Sequence, residues 1–290
     1  MSETSTTRNP SARSPDLLRL YTHNIYARRA DWPARRAVLV EGVGRLAPDV
    51  VLFQEEVLTN DFDQTAEILG AGWHIIHSRG RSADEGSGIA IASRWPISSA
   101  EEIDLTIDGP PVDEFAWAAL LATVDHPSGP LVIVNHFPDA ASDREYERER
   151  QAIIIARRLH EISAERDMPV VLAGDLDAEP DAASVRFFLG RQSLHGMSTA
   201  FVRAWDEVHP GQPCWTLDPA NTLFAETMTG WPYRQIDHIL IRCARDGLAS
   251  LLVKSCERAF DQPVEGVWAS DHYGLVADMV VRDGLHKLPE

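Results

Sequence analysis

Residues 170–180 read VVLAGDLDAEP, a short apolar run followed by a glycine and two carboxylates. The run is short and contains β-branched residues, so it predicts a strand that is buried on both faces. Asp175 and Asp177 lie at the end of this strand, where a charge is unfavourable unless something pairs with it. Two interpretations remain open from this stretch alone. The aspartates cap the turn into a following helix, or they pair with a metal ion, a histidine or a phosphate and its cation.

Other predicted strands also end in polar side chains, namely Asn24, Glu55 and His136. Asp237 and the Asp271–His272 pair lie beside two further strands near the end of the chain. Each has an ordinary explanation, as a turn cap, a solvated strand end or a satisfied histidine. Strand ends on one side of stacked sheets meet at one edge, where sites commonly form. Together these residues supply the oxygen and imidazole groups of a single reaction centre.

Helices are predicted between strands in the first half of the chain, and strands follow in series near its end. One helix begins at Pro33, and a capping box at Ser142 and Glu145 predicts the start of a long one. Another is predicted from Asp181 to Leu189, followed by an irregular segment over about 191–233. This order predicts two packed sheets with helices outside. We expect one domain over residues 17–290, after a polar and disordered tail at 1–16.

The composition limits the possible partners. The formal charge is 27 − 44 = −17, which argues against general binding to DNA or acidic membranes. A small phosphorylated substrate stays possible because a divalent cation reverses the local field. We expect no membrane contact, since no stretch approaches the ~20 apolar residues that span a bilayer. Three widely spaced cysteines predict thiols in a reducing compartment, the cytoplasm.

Seven short motifs carry a family resemblance. They are THNI at 22–25, FQEEV at 53–57, GIAIASRWPI at 88–97, VNHF at 134–137, GDLDA at 174–178, QIDHI at 235–239 and SDH at 270–272. In this order they resemble the endonuclease/exonuclease/phosphatase superfamily, which includes deoxyribonuclease I. The resemblance covers about residues 18–281. It implies an α/β fold, a four-layer α/β/β/α sandwich of two packed mixed sheets flanked by helices. It also implies Mg²⁺-dependent phosphoester hydrolysis, with Mn²⁺ as a substitute.

The resemblance implies a role for each motif residue that matches. Glu55 is similar to the main metal ligand, with Asn24 and Asp271 near the metal or its waters, as suits a hard cation. His136 is similar to a donor to a non-bridging phosphate oxygen. Asp237 is similar to the partner that orients His272.

The resemblance also implies that either Asp175 or His272 takes the proton from the attacking water, in an in-line attack without a covalent intermediate.

Two positions depart from the family pattern. Asp177 stands where many members carry asparagine, and a carboxylate there repels a phosphate dianion unless it is protonated, metal-bound or turned away. We keep Asp177 as a catalytic candidate, with an extra metal ligand as its other interpretation. The stretch Phe115–Ala118 lacks an arginine that often begins this strand.

Substrate-binding candidates lie between Asp177 and Asp237, namely Trp215, Asn221 and Arg234. Aromatic residues in such a long segment either line a pocket for an apolar or planar group or pack the segment onto the core. Arg234 either meets a phosphate or forms an ion pair.

The sequence therefore predicts a phosphodiesterase or phosphatase acting on a small-molecule or lipid-derived phosphoester. A metal-dependent endonuclease or exonuclease is the first alternative, and a salt titration separates the two. A non-catalytic binding module on the same fold is the second alternative. The oligomeric state is not predicted.

Overall fold

A computed structural model describes residues 14, 16–107, 117–165 and 168–282. In chain order the strands are β1 (Leu17–Asn24), β2 (Val50–Thr59), β3 (Phe62–Asp63), β4 (His74–His77), β5 (Ser87–Ser93), β6 (Ile97–Asp104), β7 (Ala118–Val124), β8 (Leu131–Phe137), β9 (Val170–Asp175), β10 (Phe201–Arg203), β11 (Asp237–Arg242), β12 (Leu251–Ala259) and β13 (Gly274–Val281). The helices are α1 (Trp32–Leu46), α2 (Gln64–Leu69), α3 (Glu145–Glu165), α4 (Ala183–Phe188), α5 (Ala204–Val208) and α6 (Thr222–Thr227).

These strands form two mixed sheets. The first has the order β12-β13-β1-β2-β5-β4, with β3 paired to β2, and the second has the order β10-β11-β9-β8-β7-β6. β1 pairs with β13, so the first sheet joins strands from both ends of the described chain. The pairs β1–β2 and β8–β9 are parallel, and their carboxyl ends therefore point to one edge of each sheet.

Alternation along the strands explains the layers. In β2, Leu52 belongs to the core between the two sheets, whereas Val51 and Phe53 face a second core with α1 and α2. The other sheet repeats this pattern, because Val171 packs between the sheets and Leu172 packs toward α3 and α4. Successive side chains of a strand point to opposite faces, and strands buried on both faces therefore form the inner layers. The four-layer α/β/β/α sandwich is confirmed.

Several predicted elements differ from the observed ones. β6 was not predicted because most of its residues are polar and exposed, as is usual for an edge strand. The capping box was wrong, since α3 begins at Glu145, whose carboxylate accepts a hydrogen bond from the Ser184 backbone instead. The segment predicted as irregular contains β10, α5 and α6.

Some predictions fall outside the described residues. These include most of the tail at 1–16 and the start of the strand predicted from Phe115. Among the described helices, none is long and apolar enough to cross a membrane.

Candidate active site

Strand pairing brings the candidate residues to one edge. Asp237, the first residue of β11, lies directly opposite Asp175, the last residue of β9. In the other sheet, Asn24 at the end of β1 pairs with Gln54, which precedes Glu55 in the middle of β2. Asp271 and His272 immediately precede β13, which pairs with the end of β1. A hydrogen bond from the Asn24 side chain to Asp175 then connects the edges of the two sheets.

A β-bulge presents the Glu55 side chain. The register of β2 against β5 shifts between Gln54 and Glu56, and Glu55 adopts a φ of 52°. Such a left-handed conformation is uncommon outside glycine, and bulges commonly redirect a side chain beside an active site. Burial and the nearby Asp271 raise the pKa of the Glu55 carboxyl to about 7. The bulge therefore holds a carboxylate in a place where it favours a cationic partner.

Arg29 and Asn24 are the observed partners of this carboxylate. Arg29 Nη1 lies 3.2 Å from Glu55 Oε2, and Asn24 Nδ2 donates to Glu55 Oε1 at 3.0 Å. Asn24 Nδ2 also donates to Asp175 Oδ2 at 3.0 Å, while Asn24 Oδ1 accepts from the backbone of Tyr26. The amide nitrogen of Asn24 thus faces the carboxylates and orients them, while its oxygen faces the backbone of Tyr26.

Three side chains form a chain of acid and base groups. His272 Nδ1 lies 2.9 Å from Asp237 Oδ2, and His272 Nε2 lies 3.8 Å from Asp175 Oδ2. Burial opposes the charged imidazole of His272, but Asp237 and Asp175 outweigh it and raise its pKa well above the ordinary value. Burial and the charge of Asp237 raise the pKa of Asp175 to about 6. This arrangement can hold and exchange a proton between His272 and Asp175.

Asp177 lies beside this chain and not at a helix start. Its backbone nitrogen donates to Asp175 Oδ1 at 3.1 Å. The N-cap of α4 is Ala182, without a side-chain cap bond, so the interpretation of the aspartates as helix caps is wrong. Burial and the charge of Asp175 raise the pKa of Asp177 well above its ordinary value. Two adjacent buried carboxylates are unfavourable unless a proton or a cation is shared between them.

His136 occupies the end of β8, inside the strand rather than after it. Its ring contacts Phe188 edge-on, with the ring centroids 5.9 Å apart. Burial lowers the pKa of His136 to about 3, so the imidazole is neutral near neutral pH. Gly174 makes this arrangement possible, because a Cβ at that position would overlap the carbonyl oxygen of His136.

The candidate site opens into a cleft of about 380 Å³. Six of the residues predicted from the sequence line it, namely Glu55, Asp175, Asp177, Arg234, Asp271 and His272. Its other walls are largely apolar, formed by Trp117, Phe137, Leu217, Phe224, Met228, Trp231 and Ile236. The cleft therefore combines an acid–base edge with an apolar compartment, as is usual for small-molecule sites.

The predicted substrate-binding residues have different positions. Arg234 lines the cleft, where its Nη2 donates to the Asp177 carbonyl at 3.3 Å and its Nε lies 3.7 Å from Glu179. Trp215 packs against Tyr233 with ring centroids 5.7 Å apart and is not among the lining residues. Asn221 is fully buried and donates to the carbonyl oxygens of Ser270 and Asp271. Asn221 therefore fixes the backbone that carries Asp271.

Three titratable lining residues were not proposed from the sequence, namely Tyr26, Arg29 and Asp139. Each follows a strand end that was singled out, since Tyr26 and Arg29 come after Asn24 and Asp139 comes after His136. A wider window after each strand would have included them. Loop residues show no periodicity, however, and the direction of their side chains cannot be inferred from the pattern.

Two sets of side chains at the candidate site could hold a divalent cation, and a further set, Glu56, Asp63 and His77, is not among the residues that line the cleft. Oxygen atoms of Glu55 and Asp271 suit a hard cation, and both carboxylates line the cleft. Ligand atoms of Asp175, Asp237 and His272 lie within 4.8 Å of one another. In this second set the imidazole is already hydrogen-bonded to Asp237 through Nδ1, and its Nε2 lies 3.8 Å from Asp175. The donor chemistry of Glu55 and Asp271 therefore fits a resident cation better.

Comparisons with known proteins agree with this architecture. Similar folds occur in D. rerio TDP2 complexed with a single-strand DNA product, with a TM-score of 0.69, 19% identity, and coverage of 91% of this chain and 98% of that one. An endonuclease/exonuclease/phosphatase from Bacteroides vulgatus gives a TM-score of 0.69 at 21% identity, covering 92% and 99%. The human Nocturnin catalytic domain with bound sulfate gives 0.69 at 19% identity, covering 92% and 95%.

No curated protein sequence matches the chain. The sequence profile of the Endonuclease/Exonuclease/phosphatase family matches residues 21–272. Members of this family are metal-dependent phosphoesterases and nucleases, and this chain is an enzyme of that class. This chain, with its strand-end carboxylates and His272, is a member of the Endonuclease/Exonuclease/phosphatase family.

Proposed function

We propose that this enzyme hydrolyses a phosphoester of a small molecule or lipid-derived head group, with Mg²⁺ as its natural cofactor and Mn²⁺ as a substitute. The observation that carries this proposal is the apolar cleft beside the acid–base edge. Most of the wall area beyond the carboxylates consists of aromatic and aliphatic side chains. Such a wall accommodates an organic group attached to the phosphate better than it accommodates a charged backbone.

The residues of the chain have distinct proposed roles. Glu55 and Asp271 hold the cation, whose chemistry when bound is to neutralise charge on the phosphoryl oxygens. Asn24 fixes the orientation of Glu55 and Asp175 through its Nδ2. Asp237 orients His272, and either Asp175 or His272 accepts the proton of the attacking water. His136, neutral and adjacent to β9, donates to a non-bridging oxygen.

In this proposal, Asp177 determines whether the site prefers a phosphate monoanion or a dianion. A carboxylate beside Asp175 opposes a phosphate dianion more strongly than a monoanion, because the repulsion grows with charge. Diesters therefore fit the site better than monoesters. Arg234 contacts the Asp177 backbone and completes the polar side of the cleft.

A nuclease is the second candidate function. It is favoured by the structural neighbour TDP2 from D. rerio, which was solved with a single-strand DNA product. The net charge of −17 counts against it, since neutralisation of phosphates by basic residues supplies most of the affinity for nucleic acids.

We also retain the cytoplasm as the proposed location, supported by cysteines that are all free in the structure.

The test is a panel of phosphomonoesters, phosphodiesters and oligonucleotides, assayed with Mg²⁺, with Mn²⁺ and with EDTA. We expect turnover of small diesters with either metal and none in EDTA. Glu55→Gln is the matched control, because it keeps the shape of the side chain and removes its charge. Turnover that persists in EDTA, or a panel on which the wild type is inactive, would contradict the proposal.

A further inference from the structure

Asp139 is a buried carboxylate on the cleft wall, and the proposed reaction gives it no role. It follows β8 by two residues, has no exposed surface, and lines the cleft. Its position is fixed by α3, since its backbone nitrogen donates to Gln151 and its carbonyl oxygen accepts from Arg148. Asp139 Oδ1 accepts from the backbone nitrogen of Ala141 at 3.0 Å. The side chain is therefore rigidly held with one oxygen occupied.

The second oxygen is different. Among the described residues, Asp139 Oδ2 has no hydrogen-bond partner. The nearest cation is Arg144, whose Nη1 lies 3.9 Å away and is shared with Glu147 at 3.7 Å. A buried carboxylate oxygen without a hydrogen bond is unfavourable, and native proteins rarely leave one without a function.

The surroundings show which part of a substrate would meet this oxygen. Trp117 lies on the same wall, because β7 and β8 pair through Ala118 and Phe137. The Trp117 Nε1 is also buried without a hydrogen bond among the described residues, and Trp231 contributes to the same cleft. The lining residues next to Asp139 in the chain, Phe137, Ala140 and Ala141, are apolar. A carboxylate repels a phosphate, so Asp139 faces the organic part of a substrate.

We propose that Asp139 is a specificity-determining residue, whose Oδ2 accepts a hydrogen bond from an N–H or O–H group on the organic part of the substrate. This inference rests on the proposed function, because it assigns the organic group to the apolar side of the cleft. It narrows the substrate class to phosphoesters with a hydrogen-bond donor on an otherwise apolar or planar group. A buried acceptor discriminates strongly against analogues that lack the donor, since it is then left unpaired.

Asp139→Asn separates this role from a structural one. The amide oxygen of asparagine can still accept from Ala141, which keeps the turn. The amide nitrogen then replaces Oδ2, so the atom on the cleft side changes from an acceptor to a donor. Asp139→Ser is a second variant, which can keep the bond to Ala141 and offers no second acceptor.

The probes are 4-nitrophenyl phosphodiesters whose second ester group is hydroxybenzyl or methoxybenzyl, each as ortho, meta and para isomers. For at least one isomer we expect the wild type to prefer the hydroxyl over the methyl ether by about 10- to 100-fold in kcat/KM, as for a hydrogen bond to a charged group. Asp139→Asn and Asp139→Ser should abolish this preference. Thermal unfolding of each variant verifies that it is folded.

Two matched controls isolate the acceptor. Asp143→Asn removes an exposed carboxylate near the same turn, and Arg144→Gln removes the ion pair to Asp139 while leaving Oδ2 in place. Both should keep the hydroxyl preference. Loss of the preference in Arg144→Gln alone, with Asp139→Asn unchanged, would contradict the proposal.

A binding measurement keeps this inference distinct from the proposed function. Hydroxybenzylphosphonic and methoxybenzylphosphonic acids have a P–C bond and no ester leaving group, so they cannot be hydrolysed, and calorimetry gives their affinities for the wild type and both Asp139 variants. A preference for the hydroxyl that only the Asp139 variants lose supports the inference, even if no ester is turned over. Absence of turnover would overturn the proposed function alone. Equal affinities for both phosphonates in the wild type, or a preference that both folded variants retain, would overturn the role of Asp139.

Discussion

Single residues of the acid–base edge carry the reaction in our proposal. We expect Glu55→Ala and His272→Ala each to reduce phosphodiester turnover by about 10²- to 10⁴-fold, the usual contribution of a positioned acid–base group. Steady-state kinetics with Mg²⁺ measures the loss, and circular dichroism shows that the fold is retained. Wild-type rates in both variants would refute the assigned roles.

Asp177 provides a second prediction at this scale. Its side chain is buried beside Asp175, whose charge contributes to its raised pKa. Asp177→Asn removes one of two neighbouring carboxylates and therefore reduces repulsion of a dianionic phosphate. We expect the ratio of monoester to diester kcat/KM to rise on the order of 10-fold, from a Coulomb interaction at moderate dielectric. An unchanged ratio would mean that Asp177 is protonated, metal-bound or turned away from the bound phosphate.

At the scale of elements, the parallel pair β8–β9 depends on a glycine. Gly174 has a φ of 146°, and a Cβ there would overlap the backbone of His136. We expect Gly174→Ala to lower the free energy of unfolding by about 3 kcal/mol, from overpacking together with an unfavourable backbone conformation. Urea unfolding measures this change.

Gly247→Ala is the matched control for that experiment. Gly247 has a φ of 82°, and a Cβ there would meet nothing within 4 Å. Its replacement should cost about 1 kcal/mol, the conformational term alone. Equal losses at the two glycines would show that the close approach of β8 and β9 does not contribute.

β11 carries a buried histidine that makes stability depend on pH. His238 Nε2 donates to the Ala178 carbonyl at 2.8 Å, and burial lowers the pKa of His238 to about 4. The unfolded chain therefore takes up this proton at higher pH than the folded chain, and acidification below the unfolded pKa of about 6.5 favours unfolding. The contribution of His238 to stability is complete above that pKa and is lost as the pH falls toward 4.

Comparison with His238→Gln isolates this effect, because the other titrating groups are common to both proteins. Between pH of about 7.5 and about 5, the free energy of unfolding of the wild type should fall by about 2 kcal/mol more than that of the variant, from the linkage of protons to folding. Urea unfolding at several pH values measures both. Parallel pH profiles would show that His238 takes up its proton at the same pH in the folded and the unfolded chain.

The strands could be predicted from the sequence more fully than the contacts between them. Runs such as Val170–Ala173 indicate buried strands, because the two-face burial of β9 requires consecutive apolar residues. Their polar ends identified the carboxylates of the cleft. The bulge at Glu55 could not be foreseen, since no glycine or turn residue marks it. The role of Asn221 was equally hidden, because its hydrogen bonds to residues 270 and 271 join segments that are distant in sequence.

For the whole molecule, net charge determines which substrates approach the cleft. Among the described residues that line it, the arginines are Arg29 and Arg234. Both lie next to carboxylates, Arg29 at 3.2 Å from Glu55 and Arg234 at 3.7 Å from Glu179. With a formal charge of −17 over the chain, few phosphates of a nucleic acid can be neutralised.

We therefore expect nucleic-acid binding by this enzyme to depend only weakly on salt concentration. Each neutralised phosphate of a single strand contributes about −0.7 to the slope of log K against log salt. With at most two arginines to offer, we expect a slope shallower than about −2 for a single-stranded oligonucleotide. Fluorescence anisotropy with the Glu55→Ala variant measures binding without cleavage, and a double-stranded oligonucleotide is the parallel probe. A slope of several units would require a basic surface that contacts many phosphates, and the nuclease would then become the better description of this enzyme.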